Sequence, residues 1–184
     1  MKKYYKYLPK FYFNSIFQIP YDFFFQKGIK AILLDLDNTL LKYNENQINP
    51  KIKKILYKIK KKFFLVIISN ASKGKLKKIL YPDFDYIYLK FYQKKPCVKG
   101  FLKALDLFNV SYDQAIMIGD QLTTDIQGAN KINIISVLIK PLDPSKESFW
   151  TKLNRFFIEK PFIKKIKKID PQLYKKKFQH FLEI

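Results

Sequence analysis

The chain reads as an α/β fold, a parallel sheet of about five strands flanked by helices, and three observations lead there. Short apolar runs rich in Ile, Leu and Val recur at 29–35, 63–69, 114–119 and 133–139. Segments with helical patterning alternate with them. No stretch of about 18 apolar residues breaks the series, so no run resembles a membrane span. Strands buried on both faces and joined by right-handed helical crossovers carry this signature.

Taken in order, Ile29-Lys30-Ala31-Ile32-Leu33-Leu34 is a buried strand that closes on Asp35. A helix over 50–62 opens at Pro50, where the missing N–H had no partner to lose. The strand 63–69 ends on Ser69, a helix spans 73–81, and Asp85 to Leu89 is a weaker strand. Pro96 opens a helix over 97–108 in the same way, and Cys97 reads as one of its buried residues. The strand 114–119 ends at Gly119-Asp120, a helix covers 123–132, and 133–139 is the last strand. Residues 1–28 are aromatic-rich and irregular, broken by Pro9 and Pro20, and are expected to pack on the core formed by 29–150. Residues 151–184 form a basic helical tail that includes His180, which carries no evident role. There Phe162, Ile163, Ile166 and Ile169 fall at helical spacing among Lys164, Lys165, Lys167 and Lys168, a basic amphipathic pattern. Trp150 reads as a packing or interface residue. No internal repeat and no Gly/Ser linker is present.

A formal charge of +21 invites a nucleic-acid reading, but its make-up weakens that reading. Arg155 is the only arginine among 36 basic residues. Arginine is the side chain suited to bidentate phosphate and base-edge contacts. The abundance of Lys, Asn, Ile, Phe and Tyr matches the bias of a genome drifting toward A and T. The charge favours anionic surfaces in general, phospholipid or nucleic acid, without choosing between them. One cysteine excludes an internal disulfide and a multi-cysteine zinc site. Met1-Lys2-Lys3 leads into no apolar core of signal-peptide length. A cytoplasmic protein is expected, with a peripheral position at the inner membrane surface as the open alternative.

Four pieces carry chemistry: Asp35-Leu36-Asp37, Ser69 and Gly119-Asp120 at strand ends, the last with Asp125 following, and Lys95 before Pro96. Ligands in such sheets bind outside the carboxyl ends of the strands. Two carboxylates one residue apart share a direction on a strand, so Asp35 and Asp37 form a place to hold a divalent cation against a phosphate. Asp35 can act as nucleophile without losing a proton at neutral pH, giving an aspartyl-phosphate. Asp37 can protonate the departing oxygen and then take a proton from water. The hard oxygen donors imply magnesium, with Asp35 and Asp120 as its carboxylate ligands, Asp37 through its backbone carbonyl, and Asp125 in an indirect role in the metal set. Ser69 and the Lys95 ammonium would hold phosphoryl oxygens, with Asn70 and Thr39 as further contacts. Singly, each piece has a plain structural reading: a turn carboxylate, a helix cap at Ser69-Asn70, a solvated lysine like Lys94. Four of them in order outweigh those readings.

Asp35-Leu36-Asp37-Asn38-Thr39, Ser69, Lys95-Pro96 and Gly119-Asp120-Gln121-Leu122-Thr123-Thr124-Asp125 together resemble the haloacid dehalogenase (HAD) superfamily of phosphatases. Gly28-Ile29-Lys30 before the first motif, the run through Asn130, and the late Asn154-Arg155-Phe156-Phe157-Ile158-Glu159 resemble its subfamily IIIA, YqeG type, over roughly residues 7 to 160. One departure is Ser69-Asn70-Ala71, where many relatives carry a second asparagine. The resemblance implies a Rossmann-like domain without a large cap, magnesium, and kinship with phosphatidylglycerophosphate phosphatases of phospholipid biosynthesis. The short connections after Asp37 and Ser69 leave no room for a folded cap, so a large phosphomonoester is expected, above all a lipid-linked one at an anionic membrane. Nucleotide, sugar-phosphate and nucleic-acid-end substrates, and a non-enzymatic RNA- or ribosome-bound role, are the competing readings. Oligomeric state is not legible.

Overall fold

Ala31, Ile32, Leu33 and Leu34 are all shut off from solvent, so the strand they form must have a neighbour on each edge and a layer on each face. In the computed structural model, which describes residues 5–179 and 181, it has all of them. The sheet comprises β1 (Phe11–Phe13), β2 (Ala31–Leu34), β3 (Phe64–Ser69), β4 (Tyr86–Tyr88), β5 (Ala115–Gly119) and β6 (Ile135–Ile139). Among the described residues these six strands lie in the order β1-β6-β5-β2-β3-β4, every pair parallel. The Met1-Lys2-Lys3 opening and His180 lie outside the described residues.

The helices are α1 (Tyr21–Gln26), α2 (Pro50–Lys60), α3 (Lys73–Leu80), α4 (Lys99–Phe108), α5 (Gln127–Lys131), α6 (Phe149–Asn154), α7 (Lys160–Ile169) and α8 (Pro171–Phe178). Strand alternation sorts the apolar side chains between two layers. Ile32, Leu34, Leu65, Ile67, Ile116 and Ile118 pack with Leu56 of α2 and Leu76 and Leu80 of α3. Ala31, Leu33, Val66, Ile68 and Met117 face the other way, onto Phe101 and Ala104 of α4. At α2 the start signal operates as expected: Pro50 opens the helix and the Asn49 side chain accepts from the Lys51 N–H at 2.9 Å.

Five details differ from expectation. The sheet has six strands rather than about five, because β1 pairs with β6, Tyr12 level with Leu138. Three consecutive aromatic residues show no alternation, so nothing in the irregular-looking segment 1–28 marked a strand. Pro96 does not open α4. A turn intervenes, the helix begins at Lys99, and Cys97 is half-buried in that turn. The helix cap near Ser69-Asn70 is Ser72, whose side chain accepts from Lys75 N–H. The segment over 123–132 opens with a π-helical turn, Leu122–Ile126, before α5.

The fifth difference lies in the tail. Residues from Phe149 to Ile169 run as one helical rod, α6 and α7 joined by a π-helical turn over Arg155–Glu159. Pro161 supplies no N–H and crowds the carbonyl four residues back, and a widened turn just before it relieves both defects. The apolar stripe of the basic amphipathic pattern faces the protein. Phe162, Ile163 and Ile166 are buried with Leu122, Ile126, Leu138 and Phe178. The Phe162 ring meets Tyr7 and Phe178 edge-on at 5.5 and 5.9 Å. Only Ile169 of the four is exposed.

Phe162→Ala is therefore expected to lower unfolding stability by about 3 kcal/mol in urea titration, while Ile169→Ala changes it by less than about 0.5 kcal/mol.

Candidate active site

β2 and β5 are neighbours in the sheet, with Leu34 level with Ile118, yet the chain leaves them toward opposite edges. That is the switch point of the sheet, and it opens a crevice beyond the strand ends. Asp35 follows β2, its N–H bonded to the Ile118 carbonyl at 2.9 Å. Asp120 follows β5. Both are buried, and Asp125 joins them from the π-helical turn that follows. Gly119 makes the approach possible: a Cβ there would lie 2.4 Å from the Asp125 Cγ. One carboxylate oxygen from each of Asp35, Asp120 and Asp125 falls within 4.8 Å of the others.

Two cations hold this cluster. Lys95 Nζ donates to Asp35 Oδ1 and Asp125 Oδ1, both at 2.6 Å. The Lys95 backbone is clamped in turn by the Asn70 amide, which accepts from Lys95 N–H at 2.8 Å and donates to its carbonyl at 3.2 Å. Arg155 reaches in from the π-helical turn between α6 and α7. Its Nη2 donates to Asp120 Oδ2 at 2.5 Å, its Nε to both Glu147 oxygens, and its Nη1 to Glu159 Oε2 at 3.0 Å. Glu159 Oε1 also accepts from Thr123 N–H and Oγ1.

Five buried carboxylates thus share two cations among the described residues. Burial pushes the Asp35 carboxyl up to about 7 against the opposing pull of Lys95. Burial likewise raises Asp120 well above the ordinary carboxylate range, although Arg155 opposes it. Burial alone would lower Lys95, but Asp125 and Asp35 outweigh it and hold the ammonium charged. The donor set therefore has room for one more positive charge. Asp35 Oδ2 is buried with no hydrogen-bond partner among the described residues, the atom such a charge or a phosphorus would meet. The residues fit a hard divalent cation.

A cavity of about 790 Å³ opens over these groups, lined among others by Asp35, Asp37, Ser69, Asn70 and Lys95. β2 ends at Leu34, so Asp35 and Asp37 do not continue a strand; a tight turn through Asn38 (φ 62°) carries the chain to Leu41. Asp37 nonetheless lines the same cavity, at its mouth, with Lys75 Nζ 2.5 Å from its Oδ1. Ser69 Oγ accepts from Ala71 N–H, which leaves its own O–H to donate. Thr39 is fully buried, and its Oγ1 lies 3.4 Å from Asp120 Oδ1, a long hydrogen bond. Asn70 lines the cavity but spends its amide on Lys95. Lys75 and Glu147 had no place in the sequence reading, and Glu159 entered it only as the end of the late run that carries the family resemblance. Lys75 is one lysine among many, and the two glutamates are set apart only by acidity in a basic chain.

The family model described as mitochondrial PGP phosphatase matches residues 1–142. The chain is 29% identical over 157 residues to the probable phosphatase YqeG of Bacillus subtilis, covering 84% of this chain and 88% of that protein. It is 33% identical over 122 residues to a glyceraldehyde 3-phosphate phosphatase of Pyrococcus furiosus, covering 62% of this chain and 50% of the relative. Among solved structures it is similar to a HAD phosphatase from Thermococcus onnurineus, with 18% identity and a TM-score of 0.51, covering 71% of this chain and 98% of that one. A haloacid dehalogenase-like hydrolase from Streptococcus pneumoniae matches at 17% identity and a TM-score of 0.52, covering 70% and 91%. These likenesses show the fold.

Arg155→Ala leaves Asp120, Glu147 and Glu159 buried without their cation. A loss of about 3–5 kcal/mol in chemical denaturation is expected. Arg155→Lys should recover only part of it, since a lysine cannot span three carboxylates with a planar fork.

Proposed function

The chain belongs to the mitochondrial PGP phosphatase family, as a YqeG-type phosphatase of the HAD superfamily, and we propose that it hydrolyses a lipid-linked phosphomonoester, phosphatidylglycerophosphate or a close relative, with magnesium as cofactor. The observation that carries the mechanism is the unpartnered, buried Asp35 Oδ2 at the floor of the cavity. Asp35 Oδ2 attacks phosphorus as the bond to the ester oxygen breaks, and an aspartyl-phosphate forms. Asp37 delivers a proton to the departing oxygen. It then takes one from the water that attacks phosphorus, releasing inorganic phosphate and restoring Asp35. Lys75 holds Asp37 in the free protein, and an incoming anion competes for that ammonium. Ser69 O–H and Lys95 steady the phosphoryl oxygens. Asp35, Asp120 and Asp125 would hold magnesium, which when bound neutralises phosphoryl charge.

The lipid substrate is supported by the family match and by the connections around the site. No folded cap interrupts the chain between β2 and α2 or between β3 and β4. A soluble sugar phosphate is the second reading, favoured by the 33% identity to the archaeal glyceraldehyde 3-phosphate phosphatase. The chain spans about half the length of that relative.

With magnesium, wild type should release phosphate from phosphatidylglycerophosphate micelles in preference to soluble phosphomonoesters. Asp35→Asn should lose on the order of 10³-fold or more of that rate with its thermal midpoint kept. Activity confined to soluble esters would remove the lipid, and full activity in the variant would remove the nucleophile.

The raised Asp35 carboxyl gives a pH signature. Below about 7 it keeps its proton and offers the cation no charge; above, it ligates. Magnesium affinity in titration calorimetry should therefore rise from pH 6 to pH 8, and proton release on binding should fall as it does.

A further inference from the structure

The apolar stripe of α7 is spent on the core, so a lipid-directed enzyme of this kind needs another surface to meet its substrate. The two most exposed large apolar side chains among the described residues are Phe91, 87% exposed, and Trp150, 74% exposed. They approach the active-site cavity in different ways. Trp150 lines it directly. Phe91 lies beneath Lys94, whose Nζ is 5.8 Å from the ring, and Lys94 lines the cavity too. Each has an exposed aromatic neighbour: Tyr92 beside Phe91, and Phe149, whose ring stands edge-on to Trp150 at 5.8 Å.

All four aromatics are exposed, and lysines stand among them. Lys99 Nζ is 5.6 Å from the Tyr92 ring, and Lys90, Lys146 and Lys152 are exposed close by in sequence. Aromatic rings with interleaved lysines suit a bilayer interface, where the rings enter the headgroup layer and ammonium groups meet lipid phosphates. Stacking on nucleic-acid bases would also use rings, but this rim has no arginine, the usual companion of such stacking.

We propose that the rim formed by Phe91, Tyr92, Phe149 and Trp150 docks on an anionic lipid surface and sets the cavity mouth against the headgroups. This deepens the lipid-phosphatase reading of the same site and rests on it for the identity of the surface. Docking replaces the missing cap: the bilayer itself closes the cavity and excludes water while Asp35 reacts.

Trp150 is the only tryptophan, so its fluorescence reports the rim alone. Wild type is titrated with vesicles of phosphatidylcholine containing phosphatidylglycerol, with brominated acyl chains and no phosphomonoester. A blue shift and quenching are expected, absent with pure phosphatidylcholine and weakened by salt. Phe91→Ser/Phe149→Ser should partition on the order of tenfold less, with an unchanged thermal midpoint. Unquenched Trp150, or unchanged partitioning of the variant, overturns the proposal. So does a shift produced by single-stranded RNA and not by vesicles. Because these vesicles hold no substrate, quenching persists if the phosphatase reading fails. Conversely, phosphate release from soluble esters by wild type persists if the docking fails.

Discussion

Five carboxylates buried beside one lysine and one arginine set the terms for everything at the carboxyl end of this sheet. Such a cluster is costly to assemble, because each ion gives up water and recovers it only through close, saturated contacts. The molecule supplies those contacts from far apart in the chain. Asn70 fixes the Lys95 backbone, Thr39 approaches Asp120, Thr123 doubly satisfies Glu159, and Arg155 spends its fork on three acids. Among the described residues, what stays unmet is one oxygen of Asp35, the amide oxygen of Asn38 and a surplus of negative charge, and both residues line the cavity.

The scaffold explains why that network can be so tight. Asp35 and Asp120 are anchored by adjacent parallel strands whose residues are wholly buried, so their backbone positions are set by the core rather than by loops. A π-helical turn then brings Asp125 back over Gly119, and a second one presents Arg155 and Glu159 together. Single π-turns inside helices often mark sites where an extra residue was worth its strain. Here both lie on the ring of charges.

Much of this was legible beforehand because the informative elements obey strong local rules. Short Ile/Leu/Val runs alternating with helical segments suit strands buried on both faces, and acids at their ends have few structural uses in such number. What was not legible follows from weak local signals. β1 is three aromatic residues long and takes its identity from β6. Lys75 looks like any surface lysine until the turn at Asn38 places Asp37 opposite it. Periodicity showed that α7 has an apolar face but could not say what covers it. Phe178 and Leu122 do.

Arg155 enters the site from beyond residue 142, where the match to the family model stops. Chains emerge from the ribosome in order, amino terminus first. All five of the core strands β2 to β6 are therefore available before the guanidinium that neutralises Asp120 has been synthesised. A nascent chain that ends short of α6 carries Asp35, Asp120 and Asp125 without the guanidinium that pairs with Asp120. The charge balance of the cluster is thus completed by a segment made after the sheet.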